Sequence, residues 1–115
     1  MIGRRIVSIA AGLLMLPLAG SIAHADETGI ASIHSWVKVG RKTCMATHFH
    51  YGNSSGQRTK KAAMQVAVQD WASFTATEYG TSWARFSIAG SRSVKCGQTS
   101  SGWSCAVEAR PCRPF

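Results

Sequence analysis

Between Lys60 and Tyr79 apolar positions recur at intervals of three and four: Met64, Ala67, Val68, Trp71, Phe74, Thr75 and Tyr79 form a mostly apolar stripe, and Lys61, Gln65, Gln69 and Ser73 lie away from it. That spacing predicts one long helix with the stripe as its core face, ended by Gly80 in a left-handed conformation. Downstream the period changes to two. Ala84, Phe86 and Ile88 alternate with Trp83, Arg85 and Ser87, which predicts a strand over 83–89, and 94–109 reads as a hairpin turned at Thr99-Ser100-Ser101-Gly102. In that hairpin Gln98 faces Trp103, Cys96 faces Cys105 and Val94 faces Val107, all six on one face. Upstream, 33–39 and 43–49 are two further expected strands turned at Gly40-Arg41-Lys42, with a short helix around 30–36 as the alternative for the first. The run Gly52-Asn53-Ser54-Ser55-Gly56-Gln57 reads as a flexible loop leading into the helix. The resulting fold class is α+β: one long helix packed on a small antiparallel sheet in a single domain over 26–115.

The first 25 residues follow a different pattern. Arg4 and Arg5 form a short positive head, Ile6 to Ala19 an apolar stretch, and Ala23-His24-Ala25 the small-x-small pattern that a signal peptidase accepts, so a cut is expected after Ala25. A helix needs about 20 apolar residues to cross a bilayer, and Pro17 and Gly20 interrupt this stretch, so the expectation is a cleaved signal and a mature chain without a transmembrane segment. Export to the periplasm or beyond makes disulfides accessible. A domain of this size buries a marginal core, and the four cysteines, Cys44, Cys96, Cys105 and Cys112, are expected to form two staples. None has the Cys-x-x-Cys spacing of a thiol oxidoreductase or zinc knuckle. The hairpin register pairs Cys96 with Cys105 and leaves Cys44 for Cys112; Cys44 with Cys96 and Cys105 with Cys112 is the competing pattern.

Charge adds a functional lead. The chain carries 13 Lys and Arg against 5 Asp and Glu; removing the first 25 residues takes only Arg4 and Arg5, leaving a net charge of +6. A basic exported domain attracts anionic partners such as lipid head groups or acidic glycans. Arg58, Lys60 and Lys61 crowd a helix start, where a partial positive charge already sits, so each costs about 0.3–1 kcal/mol at low ionic strength. A bound anion would reverse that sign and take up free N–H groups. Ser54, Ser55, Gly56, Arg58, Thr59, Lys60 and Lys61 are therefore the candidate anion site, with Arg41 and Lys42 as further cations. The spacing Gly52-x-x-x-Gly56-Gln57-Arg58-Thr59 departs from a P-loop, which has four residues between its glycines and Lys directly after the second. The run Thr59-Lys60-Lys61-Ala62-Ala63 with Ala67 resembles the phosphate-gripping helix start of double-stranded-RNA-binding domains, but in that family a helix and three strands precede it, and here the strands follow. Specific nucleic-acid binding is not expected, and no cofactor motif occurs.

Catalytic or metal chemistry is the alternative. His48 and His50, two apart, would leave the same face of a strand and could share copper or zinc with His34 or Met45. A small hydrolase using one of them is the third reading. Cys44-Met45-Ala46-x-His48-Phe49-His50-Tyr51-Gly52, Tyr79-Gly80, Gly102-Trp103-Ser104-Cys105 and Ala109-Arg110-Pro111-Cys112-Arg113 together make a pattern that resembles small exported proteins of alphaproteobacteria. The resemblance implies a bacterial periplasm and brings no activity with it.

Overall fold

The computed structural model describes residues 25–115; the signal-peptide expectation falls on residues outside that range, apart from Ala25. In chain order the elements are α1 (Gly29–Ser32), β1 (Trp36–Val39), β2 (Lys42–Met45), β3 (His50–Asn53), α2 (Lys60–Tyr79), two 3-10 turns (Thr81–Trp83 and Phe86–Ile88), β4 (Gly90–Thr99), β5 (Gly102–Arg110) and β6 (Cys112–Pro114). The α+β class holds, with two small antiparallel sheets in place of one: β1-β2-β6 and β3-β5-β4.

The long helix occupies the predicted span. Thr59 is its N-cap, extended at φ −133° and ψ 156°, and its hydroxyl accepts from the Ala62 N–H. At the far end Gly80 stops the helix at φ +108° and ψ 165°, a positive-φ geometry outside the left-handed helical well. The buried face is narrower than the stripe suggests. Ala63, Ala67, Trp71, Thr75 and Tyr79 are buried at a strict spacing of four, while Met64 and Phe74 stay exposed. Ala63, Ala67 and Trp71 pack on Cys105, Val107 and Ala109 of β5, and the Trp71 indole donates to the Ala109 carbonyl at 3.3 Å. A second cluster joins Tyr79 and Trp83 to Ala31, Met45 and Trp36.

The hairpin has the predicted register, Gln98 to Trp103, Cys96 to Cys105 and Val94 to Val107, with Thr99 already paired to Gly102, so only Ser100 and Ser101 form the loop. Both expected disulfides, Cys96–Cys105 and Cys44–Cys112, are present. The first is a cross-strand pair inside the hairpin; the second joins opposed residues of β2 and β6. Pro111 ends β5, since it offers no N–H to a ladder, and the chain continues as β6 in the other sheet.

Three expectations are corrected. The segment 83–89 is two 3-10 turns and not a strand, because Trp83 and Phe86, three apart, are claimed by different clusters. Gly52 and Asn53 belong to β3 and not to a flexible loop. The strand expected over 43–49 ends at Met45, so His48 lies in the loop before β3 and not on a strand with His50. The segment after Ala25 is docked: Thr81 N–H donates to the Ala25 carbonyl, Ser82 N–H to that of Asp26, and Thr28 N–H to that of Tyr79. Of the two readings at 30–36, a short helix, α1, comes first and the strand begins only at Trp36.

Candidate functional site

Two groups of residues singled out by sequence come together around α2, one at each end. At its start the chain leaves β3, and Ser54 is committed to the scaffold: its N–H donates to the Cys105 carbonyl at 2.9 Å, its hydroxyl donates to the Ala63 carbonyl at 2.6 Å and accepts from the Cys105 N–H at 3.0 Å. Ser55 is exposed, and its carbonyl accepts from the Gln57 amide. Gly56, at φ +64°, turns the chain so that Gln57 exchanges two backbone hydrogen bonds with Trp103, at 2.8 and 3.0 Å. That exchange brings the hairpin loop against the helix start. Between them lies a groove of about 320 Å³, with Gly56, Gln57 and Arg58 on one side and Gln98 to Trp103 on the other.

The cations around this groove divide. Arg58 lines it, whereas Lys61 lies along the flank of α2 beside Met64, Gln65 and Val68. Thr59 is occupied as the cap, and Ala63 N–H donates to the Thr59 carbonyl. Among the described residues, the N–H groups of Lys60 and Lys61 have no acceptor. Arg41 and Lys42 do not join the group. They sit where β2 meets the end of β6, with Lys42 Nζ donating to the Ile88 carbonyl, beyond the opposite end of β5. Across eight residues of β5 that separation is about 26 Å. The sequence reading missed the opposite wall, Gln98 to Ser101, whose only local signal was its polar turn composition.

At the other end of α2 three histidines gather, His34 from the loop after α1, His48 from the loop between β2 and β3, and His50 from β3. His34 and His48 rings meet edge to face at 4.4 Å, His34 also meets Tyr79 at 5.2 Å, and His50 stacks on Tyr79 at 4.7 Å. Unlike the other two, His50 is buried, and each of its nitrogens faces a polar oxygen. Nδ1 lies 2.9 Å from Thr75 Oγ1, and Nε2 lies 3.2 Å from Glu78 Oε2. The Thr75 hydroxyl donates its one hydrogen to the Trp71 carbonyl at 2.7 Å, so it can only accept from His50, which assigns the Nδ1–H tautomer. The Nε2 contact to Glu78 is then a hydrogen bond only when the pair holds one proton more than neutral imidazole plus carboxylate. Burial pushes the His50 pKa below its usual 6.5, more strongly than Glu78 raises it, with His48 and His34 adding to the lowering. The Tyr79 hydroxyl, buried and beside Glu78, is pushed up to about 12.

These geometries bear on the chemical alternatives. Thr75, His50 and Glu78 have the order of a nucleophile, base and orienting acid, but Thr75 has 0% exposure and its hydrogen points at a helix carbonyl, so this arrangement serves packing. Asp70 and Glu78 both face β3, Asp70 accepting from the Asn53 N–H and Glu78 lying against His50 Nε2, about 12 Å apart along the helix. Among the described residues no three His, Cys, Asp or Glu side chains converge as a metal-holding group, so His34, His48 and His50 do not make one with their neighbours. Among those residues, too, no helix is long and apolar enough to cross a membrane. Compared with known proteins, the chain matches no family model, no curated protein and no solved structure.

Proposed function

We propose that this chain is exported to a bacterial periplasm or secreted, loses residues 1–25, and acts as a non-catalytic module that holds an anionic envelope component or acidic glycan where α2 starts beside the β4–β5 hairpin loop. Two disulfides accord with an oxidising compartment. The observation that carries the reading is the combination of Arg58, Lys60 and Lys61, none in an ion pair among the described residues, with two unaccepted helix-start N–H groups and an adjoining polar groove. A carboxylate or phosphate there would satisfy the N–H donors and offset the unfavourable charge of the first turn.

The test is retention of oxidised residues 26–115 on immobilised polygalacturonate and on vesicles bearing anionic lipid, compared with the variant Arg58→Glu, Lys60→Glu, Lys61→Glu. Loss of retention in the variant on either matrix supports the site and identifies the class of anion. Equal retention of both proteins on both matrices refutes it.

A further inference from the structure

Among the described residues, α2 covers one face of the sheet β3-β5-β4 and no element covers the other. Strand alternation sends His50, Gly52, Cys105, Val107 and Ala109 to the helix, and Tyr51, Asn53, Ala106, Glu108 and Lys95 to the other side. Two rows cross that open face: Tyr51 beside Glu108 beside Ser93, and Asn53 beside Ala106 beside Lys95. The Tyr51 side chain is 60% exposed. Lys95 and Glu108 are diagonal neighbours, close enough for long side chains to meet, yet among the described residues they form no ion pair. A shallow hollow of about 240 Å³ opens between them, floored by the small side chain of Ala106.

We infer that this open face is a subsite for one uronate ring of an acidic polysaccharide. The flat apolar side of the ring lies on Tyr51, its carboxylate meets Lys95, and its hydroxyls donate to Glu108 and share the Asn53 amide. An aromatic ring with a polar rim suits a ligand that is itself apolar on one side and hydroxylated at its edges. Charge selects among such ligands. Glu108 at the centre repels a polymer with a phosphate at every unit, and Lys95 favours a ring that carries one carboxylate. An added β-strand is opposed by Arg92 and Lys95 on the β4 edge. The inference stands on residues other than Arg58, Lys60 and Lys61, so it survives or fails apart from the proposed function.

The experiment follows backbone amide shifts of the oxidised domain during titration with a galacturonate trimer and with the neutral galactose trimer. Saturable shifts at Tyr51, Ala106 and Glu108 with the acidic sugar are expected. Tyr51→Ala should weaken binding about tenfold and Tyr51→Phe should leave it near wild type, while Lys95→Gln should reduce the acidic trimer to the affinity of the neutral one. Tyr51 is largely exposed, so the alanine variant keeps the fold, which its amide dispersion reports. Three results overturn the inference: no movement on this face, equal binding of both trimers by the wild type, or shifts confined to 56–61 and 98–103. The last leaves the proposed groove standing and removes this subsite.

Discussion

Gly52 has no side chain because α2 leaves no room for one. A Cβ there would lie 2.1 Å from the Ala67 carbonyl oxygen, 2.7 Å from the Trp71 nitrogen and 2.8 Å from the Trp71 Cβ, all on a helix that cannot shift without opening the core. Gly52→Ala should therefore cost about 3 kcal/mol in urea unfolding, at the upper end for overpacking, whereas Gly97→Ala on the open face, where nothing lies within 4 Å, should change stability little. In sequence Gly52 heads a Gly-, Asn- and Ser-rich run, and a glycine kept for close approach looks there like a glycine kept for a turn. His50 has a similar history. Its spacing from His48 suggested a ligand pair, but burial between Phe74 and Tyr79 is a tertiary fact. The groups facing it are Glu78 and Thr75 on α2, Tyr79 at its end, and His34 and His48 from the loops. Because the folded state keeps this imidazole neutral below 6.5, the unfolded chain binds more protons in that window. Stability should fall as pH drops through 6.5, by at most about 1.4 kcal/mol per pH unit, and level off below the lowered folded pKa. Urea unfolding across that range, repeated on His50→Phe, checks the assignment. An unchanged slope in the variant would place the titration elsewhere.

At the level of elements, legibility followed how local the determining contacts are. The helix span and its Gly80 stop depend on residues within a turn of one another, and the hairpin register follows from a short polar loop, so both could be read directly; the Thr59 cap is equally local, but in sequence it reads only as part of an anion site. The division into two sheets could not, because it depends on Pro111 meeting Met45, whose N–H donates to the Pro111 carbonyl, and on β6 pairing with a strand some 70 residues earlier. Alternation over 83–89 misled for a related reason, since its two largest side chains serve different clusters. The Cys44–Cys112 bridge, with a separation of 68, holds the long-range pairing that local patterning does not specify. In the loop-entropy account it is worth about 4 kcal/mol, against somewhat under 3 for Cys96–Cys105 with a separation of 9. Paired Cys→Ala variants in urea should show that order. In the first variant, amides of β1, β2 and β6 should lose exchange protection while those of β4 and β5 keep theirs.

For the whole molecule, the distribution of charge matters more than its total. The acids largely face groups of the fold itself: Glu27 pairs with Arg113 at 2.9 Å, Asp70 accepts from the Asn53 N–H of β3, and Glu78 lies against His50 Nε2 at 3.2 Å. Arg113 is itself held over Trp36 and Trp83, so it belongs to the structure rather than to a surface field. Apart from Arg85, Arg92, Lys95 and Arg110, the remaining cations of the described residues form two groups, Arg58, Lys60 and Lys61 by the hairpin loop and Lys38, Arg41 and Lys42 around β2, at opposite ends of β5. Their spacing of about 26 Å exceeds the Debye length of about 8 Å at physiological salt, so each group acts alone on a short ligand. A flexible polyanion held by three cation contacts at the helix start should show a slope of about −2 in log K against log salt, a loss of about twentyfold between 50 and 200 mM. Neutralising that group with Arg58→Gln, Lys60→Gln and Lys61→Gln should abolish most of the slope. The same change at Lys38, Arg41 and Lys42 should leave it intact for an oligomer too short to span both groups. If the second triple variant flattens the salt dependence as much as the first, the anion is attracted by net charge alone, and the helix start has no special claim on it.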